Sequence, residues 1–124
     1  MNILVVEDDP ASAKLVYNVL TAEGYIVESV ETAEQAIAVI IDAKPECIVL
    51  DLLLPGIDGV TLARKLKQNP DTRHIAIIAT TAYSNLWSEQ EINTMGCAAF
   101  LVKPVRPRVL CQHVATIAAQ HPEH

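Results

Sequence analysis

The opening of the chain, residues 3–10, reads Ile-Leu-Val-Val-Glu-Asp-Asp-Pro. Its first four residues are uninterrupted aliphatics, which is typical of a strand buried on both faces. Asp9 stands where a helix N-cap is needed, and Pro10 stands at the first helical position. Apolar residues then repeat at helical spacing until Gly24, which favours a helix end. The stretch therefore predicts a strand, an acidic turn and a helix in succession.

The same succession recurs along the rest of the chain. Further aliphatic runs predict strands at residues 25–30, 47–50, 75–79 and 99–102. Helices between and after these strands are indicated by a capping box at residues 32–35 and by a cap at Asp58. A more polar helix is predicted over residues 84–95, and Pro107 stands in the first turn of the last helix. Such (βα)₅ alternation predicts an α/β fold with a parallel sheet, helices on both faces and right-handed crossovers.

Composition limits the classes of protein to which this chain can belong. Its 124 residues suffice for one domain, and 51% are apolar while only 4% are aromatic. Acidic residues outnumber basic ones 15 to 9, and the net charge of −6 argues against binding DNA, RNA or an acidic membrane surface. No apolar run approaches the roughly 18 residues of a membrane span, and the N-terminus has no basic signal region. We therefore expect a cytoplasmic protein.

The three cysteines are Cys47, Cys97 and Cys111, an odd number set far apart among apolar residues. This pattern favours reduced thiols in the core over a disulfide framework. Cys111 and His113 are the only near pair of zinc-binding types, which is too little to predict a zinc site.

Polar residues stand where four of the five predicted strands end. They are Glu7, Asp8, Asp51, Thr80, Thr81 and Lys103. Ligands of parallel sheets bind outside the carboxyl ends of the strands, so these side chains form the candidate site. If the first and third strands are neighbours, three carboxylates share a small volume, and their repulsion calls for a bound cation. Oxygen ligands in this number favour Mg²⁺ over Ca²⁺.

The same edge carries groups that can hold an anion. Lys103 supplies a positive charge and Thr81 a hydroxyl donor, whereas we assign Thr80 to the strand alone. A phosphoryl group beside Mg²⁺ satisfies both the acids and these donors. A carboxylate is a nucleophile in known phosphoryl transfers, and Asp51 is a lone acid within an apolar run. Asp51 is therefore the candidate nucleophile.

Several motifs of this chain resemble those of the receiver domain of two-component response regulators, in the same order and spacing and over essentially the whole length. They are Val-Val-Glu-Asp-Asp at residues 5–9, Asp-Leu-Leu-Leu-Pro-Gly at residues 51–56 with Asp58-Gly59, Thr81-Ala82, and Lys103-Pro104. The resemblance implies a flavodoxin-like doubly wound fold with strand order 2-1-3-4-5. It also implies a cis bond between Lys103 and Pro104.

The resemblance implies a role for each acid. Asp51 would accept a phosphoryl group from a phosphohistidine on a sensor histidine kinase or a histidine phosphotransfer protein. Asp8 would bind Mg²⁺ directly, and Glu7 would act through water. Asp51 itself and the backbone carbonyl of Leu53 would complete the metal site.

The resemblance also implies a switch. Thr81 is similar to the hydroxyl residue that bonds the phosphoryl oxygen, and Lys103 to the lysine that pairs with it. Phe100 occupies the aromatic switch position and, without a hydroxyl, can act only by burial. Leu53 and Tyr83 occupy the two positions that tune the lifetime of the phosphorylated state. An apolar and a bulky side chain there predict slow self-dephosphorylation.

The function implied is a signalling switch that catalyses only its own phosphorylation and dephosphorylation. Phosphorylation would change the surface of the fourth helix, fifth strand and fifth helix, to be read by a downstream protein or by a second copy in a dimer. We expect neither direct DNA binding nor membrane contact. One receiver domain is predicted over residues 1–124 without an output domain, either as a stand-alone regulator or as the N-terminal part of a longer one.

Three other functions fit parts of the pattern less well. A phosphatase of the haloacid dehalogenase type needs a second Asp two residues after the first, where this chain has Leu53. A flavodoxin-like cofactor binder brings hydroxyls and glycines to the first turn, where residues 7–9 would repel a phosphate. A pseudo-receiver used only for docking would not need the intact Asp51, Thr81 and Lys103.

Overall fold

A computed structural model, which describes residues 1–120, contains five parallel strands in one sheet. The strands are β1 (Asn2–Val6), β2 (Ile26–Val30), β3 (Cys47–Asp51), β4 (Ala76–Thr81) and β5 (Ala99–Val102). Their order is β2-β1-β3-β4-β5, which confirms the order implied by the family resemblance. Because β1, β3 and β4 are neighbours, their carboxyl ends meet at the centre of one edge.

Helices cover both faces of the sheet. They are α1 (Pro10–Ala22), α2 (Ala33–Ala43), α3 (Gly59–Gln68), α4 (Glu89–Thr94) and α5 (Pro107–Ala119). Helices α1 and α5 pack on one face, over strand residues such as Val5 and Val49. Helices α2 and α3 pack on the other, over residues such as Leu4 and Ile48. Burial on both faces is the reason that the central strands are continuous aliphatic runs.

Short polar side chains begin three helices where the sequence predicts them. Asp9 and Asp58 each accept a hydrogen bond from the backbone N–H three residues on, at 3.2 and 2.8 Å. Thr32 and Gln35 form a capping box at the start of α2. Gly24 follows α1 with a φ of 93°, a conformation that residues with a side chain rarely adopt. Local sequence therefore determines where these elements begin and end.

The single helix predicted for residues 84–95 is wrong. The chain forms a 3₁₀ turn over Ser84–Leu86, passes through an extended Trp87, and only then enters the six-residue α4. Ser88 causes the break, because its hydroxyl accepts a hydrogen bond from the Glu91 N–H while the Glu91 carboxylate accepts one from the Ser88 N–H. This capping box starts a new helix and leaves Trp87 to pack with Leu52, Ala79 and Met95.

Two strands extend further than the aliphatic runs that predicted them. Strand β3 includes Asp51, and β4 continues through Thr80 and Thr81. Backbone pairing persists there, since the Leu52 N–H donates to the Thr80 carbonyl at 2.9 Å. The polar residues of the candidate site are therefore held by the sheet itself rather than by loops.

The remaining structural predictions concern thiols, one peptide bond and the membrane. Cys47 is buried, Cys97 and Cys111 are half-buried, and all three are free thiols. The bond between Lys103 and Pro104 is cis. Within residues 1–120, no helix combines the length and the apolar character that crossing a membrane requires.

Candidate functional site

Three carboxylates converge at the carboxyl ends of β1 and β3. The two strands pair in register, with Val6 opposite Leu50, so Glu7 and Asp51 emerge side by side. Glu7 and Asp51 are each 5% exposed, whereas Asp8 is exposed. One oxygen from each of the three acids lies within 4.8 Å of the others, so together they could hold a metal ion. The structure thus brings together the acids that the sequence selected.

Lys103 reaches the acids from the far side of β4. Its backbone N–H donates to the Thr81 carbonyl at 2.8 Å, which fixes the chain just after β5. Its ammonium forms ion pairs with Glu7 and with Asp51, the latter at 2.9 Å. The lysine side chain is only 15% exposed. Lys103 therefore offsets part of the negative charge at the centre of the site.

Burial makes ionisation of Glu7 unfavourable. Desolvation is the largest effect, and with the adjacent Asp51 carboxylate it raises the pKa of Glu7 from 4.5 to about 7, against the opposing influence of Lys103 and the Asp9 N–H. Burial by itself lowers the pKa of Lys103, but its bonds to Asp51 and Glu7 outweigh this and raise the pKa. The lysine therefore stays charged, but its one positive charge does not balance three ionised carboxylates.

A close backbone approach holds the Asp51 peptide in place. A Cβ atom built on Gly59 would lie only 2.1 Å from the Asp51 carbonyl oxygen and 2.7 Å from the Leu52 Cα. The Gly59 N–H donates to the Leu52 carbonyl at 3.1 Å. Sequence reasoning placed Gly59 only within a motif and missed this role. The available signal was a glycine directly after the helix cap Asp58, where a helix former would otherwise be favoured.

Thr81 and Phe100 make their contacts with other residues than the acids. The register pairs Asp51 with Thr80, not with Thr81. Thr81 is fully buried, and its hydroxyl oxygen accepts a hydrogen bond from the Tyr83 N–H at 3.1 Å. Phe100 is half-buried against the cluster that contains Trp87. In residues 1–120 no hydrogen bond joins the Thr81 hydroxyl to the Asp51 carboxylate or the Lys103 ammonium, so the side chains of the proposed switch are not bonded to one another here.

Leu53 and Tyr83 lie on the two loops that follow β3 and β4. Both are exposed, at 38% and 58%. The Leu53 N–H donates to Oδ1 of Asp51 at 2.9 Å, which orients the carboxylate. These two loops therefore carry large exposed side chains at the carboxyl edge of the sheet.

Comparison with known proteins places this site in a family. Residues 3–115 match the family model described as the response regulator receiver domain. The chain belongs to this family. It is thus a response regulator receiver domain of a two-component system, as the motifs predicted, with the sheet order and helix arrangement of that family.

Individual relatives agree with this assignment. The response regulator PleD of Caulobacter vibrioides is 36% identical over 115 residues, which are 93% of this chain and 25% of PleD. The polar-differentiation response regulator DivK of Brucella anthropi is 30% identical over 104 residues, 84% of this chain and 85% of DivK. A solved CheY-like response regulator receiver domain protein from Methanospirillum hungatei has a TM-score of 0.86 at 29% identity and covers 99% of this chain and 98% of its own. The receiver domain therefore spans a quarter of PleD and most of DivK.

Family membership relates the acidic cluster to the metal site of receiver domains. Receiver domains bind Mg²⁺ at an acidic pocket and interact with histidine kinases or phosphotransfer proteins. In this receiver domain the cluster of Glu7, Asp8 and Asp51 is the acidic group that could hold such an ion.

Proposed function

We propose that this receiver domain takes up a phosphoryl group on Asp51 from the phosphohistidine of a sensor histidine kinase or a histidine phosphotransfer protein. The observation that carries the proposal is the convergence of Glu7, Asp8 and Asp51 within 4.8 Å, with Lys103 bonded to two of them. A half-buried lysine beside three acids is an arrangement for binding both a metal and an anion.

The donor set suits Mg²⁺. Glu7, Asp8 and Asp51 offer only oxygen ligands, and the backbone carbonyl of Leu53 would add one more. Asp8 is exposed, which leaves room for the water molecules that Mg²⁺ retains. When bound, the ion neutralises charge on the transferring phosphoryl oxygens.

The residues of the chain supply the remaining chemistry. A carboxylate oxygen of Asp51 attacks phosphorus, a new O–P bond forms, and the P–N bond to the donor imidazole breaks. The imidazole leaves with the electron pair and takes up a proton. Lys103, already 2.9 Å from Asp51, pairs with a phosphoryl oxygen, and the Thr81 hydroxyl donates to another. Burial of Asp51 keeps competing water away from the acyl phosphate.

The change at Asp51 reaches the surface through Thr81. To bond the phosphoryl group, the Thr81 hydroxyl leaves the Tyr83 N–H, and Phe100 moves towards the space that opens. Phe100 belongs to β5, and Thr81 pairs with Val102 at the end of the same strand. We propose that a downstream protein, or a second copy of the chain in a phosphorylation-dependent dimer, reads the surface formed by α4, β5 and α5.

Further parts of the proposal concern the protein as a whole. We infer a cytoplasmic switch that catalyses only its own phosphorylation and dephosphorylation within a single receiver domain. A net charge of −6 supports the absence of direct DNA binding and of attraction to acidic membranes. We also infer that the side chains of Leu53 and Tyr83 shield the acyl phosphate from water.

Intact-protein mass spectrometry after incubation with acetyl phosphate and Mg²⁺ tests the site. The wild type should gain one phosphoryl group, and Asp51→Asn, a near-isosteric change, should gain none. Asp58→Asn is the matched control, because Asp58 is an exposed helix cap for which Asn is an equally good substitute, and it should be labelled like the wild type. Labelling of Asp51→Asn would overturn the assignment.

A further inference from the structure

A cavity of about 220 Å³ lies on the α1 and α5 side of the sheet, next to the acidic cluster. Its floor is built from the carboxyl ends of three central strands and includes Val5, Val49 and Thr80. These residues are at most 3% exposed. Ala11, Leu15 and Pro104 line its mouth and are exposed. The cavity is therefore deep, mostly apolar and reachable from solvent.

Thr80 places a hydroxyl group with unused hydrogen-bonding capacity on this apolar floor. The side chain is 3% exposed, and within residues 1–120 its one hydrogen bond is donated to the Leu50 carbonyl at 3.5 Å, close to the limit for such a bond. Both lone pairs of the hydroxyl oxygen remain available. A buried hydroxyl in this condition favours a ligand that donates a hydrogen bond to it.

Charge at the cavity selects against ionic ligands. Among the described residues that line it, Glu7 alone carries an ionisable group, and its carboxylate is bonded to Lys103 and to the Asp9 N–H. An anion would meet this carboxylate without a counter-charge of its own, and a cation would compete with Lys103. A neutral ligand avoids both penalties.

The volume sets the size of the ligand. An apolar cavity of about 150 Å³ is large enough to bind benzene, so 220 Å³ accommodates one ring with a small substituent. We propose that this cavity is a binding site for a small neutral molecule that consists of one apolar ring and one hydroxyl group. The ring lies against Val5 and Val49, and the hydroxyl donates to Thr80.

Titration of the full chain with phenol, followed by ¹H–¹⁵N NMR, tests this site without Mg²⁺ or a phosphodonor. Saturable changes in chemical shift should be largest at the backbone amides of Val5, Leu15 and Thr80. Toluene, which lacks the hydroxyl, should bind about fivefold more weakly, the value of one hydrogen bond. Benzoate should bind at least about tenfold more weakly than phenol because of its charge.

Three variants separate the site from surface adsorption. Thr80→Val should lower the affinity for phenol to that for toluene and leave toluene binding unchanged. Ala11→Leu, which fills the mouth, should weaken phenol at least about tenfold. Ala115→Leu, the same change at an exposed helical position outside the cavity, should have no effect. Shifts centred elsewhere, benzoate binding as tightly as phenol, or unchanged affinity in Ala11→Leu and Thr80→Val would overturn the proposal.

Discussion

Replacing Glu7 by Gln should stabilise the metal-free protein above neutral pH and leave its stability nearly unchanged in acid. Glu7 is buried beside Asp51, and its pKa is raised to about 7, chiefly by desolvation. The folded protein therefore binds the Glu7 proton more tightly than the unfolded chain does. Its free energy of unfolding is fully retained below about pH 4.5 and falls as the pH rises through 7.

The size of the effect follows from the two ionisation constants. Unfolded glutamate ionises near 4.5 and folded Glu7 at about 7, and one pH unit corresponds to about 1.4 kcal/mol, which gives a loss of about 3 kcal/mol above neutrality. The attraction of Lys103 for the ionised carboxylate is already included in this difference. Glutamine carries no charge at any pH, so the variant escapes the loss.

Urea denaturation followed by circular dichroism, with a metal chelator present, measures the difference. At about pH 8, Glu7→Gln should raise the free energy of unfolding by about 2–3 kcal/mol, and at about pH 5 by less than about 1 kcal/mol. Millimolar Mg²⁺ should reduce the gain at the higher pH, because a bound cation offsets the charge that the variant removes. Glu28→Gln, an exposed change on β2, is the control and should behave alike at both pH values. An equal gain at both pH values, or a loss of stability at the higher one, would refute the reasoning.

Gly59 and Leu53 both adjoin Asp51, and each allows a further prediction. Gly59→Ala should lower the free energy of unfolding by about 2–4 kcal/mol, because the added Cβ would lie 2.1 Å from the Asp51 carbonyl oxygen. Gly24→Ala should lose only about 1 kcal/mol, since its Cβ meets open space, and equal losses in a urea titration would contradict this account. The phosphorylated wild type should persist for minutes or longer in Mg²⁺ at neutral pH, whereas Leu53→Asn, which can orient a water molecule, should lose radiolabelled phosphate faster. A wild-type lifetime of seconds would count against shielding by Leu53 and Tyr83.

The helix predicted over residues 84–95 shows where reasoning from local pattern fails. The segment is polar enough, and its periodicity weak enough, that the capping box of Ser88 and Glu91 decides the structure instead. Burial of Trp87 against Leu52 and Met95 then stabilises the extended residue between the two helical pieces. That contact joins residues far apart in sequence, and no window of neighbouring residues contains it.

Lys103 and Gly59 show the same limit at the site. The sequence placed Lys103 after the fifth strand, but its simultaneous bonds to Glu7 and Asp51 depend on three strands lying in a fixed order. Gly59 belonged to a motif, but a glycine is required there because the start of α3 approaches the end of β3 too closely for a Cβ atom. Both roles are distances between elements rather than properties of one element.

The sequence by itself determined the repeating units of this protein. Aliphatic runs, helix caps and glycines act over a few residues, so they specify strands, helices and the acids that follow each strand without reference to the rest of the chain. Tertiary structure alone decided how closely the side chains at the strand ends approach one another, and with that the raised pKa of Glu7, the ion pairs of Lys103 and the cavity that Thr80 lines. Desolvation and Coulomb interactions depend on distance through space, and folding sets that distance independently of separation along the chain.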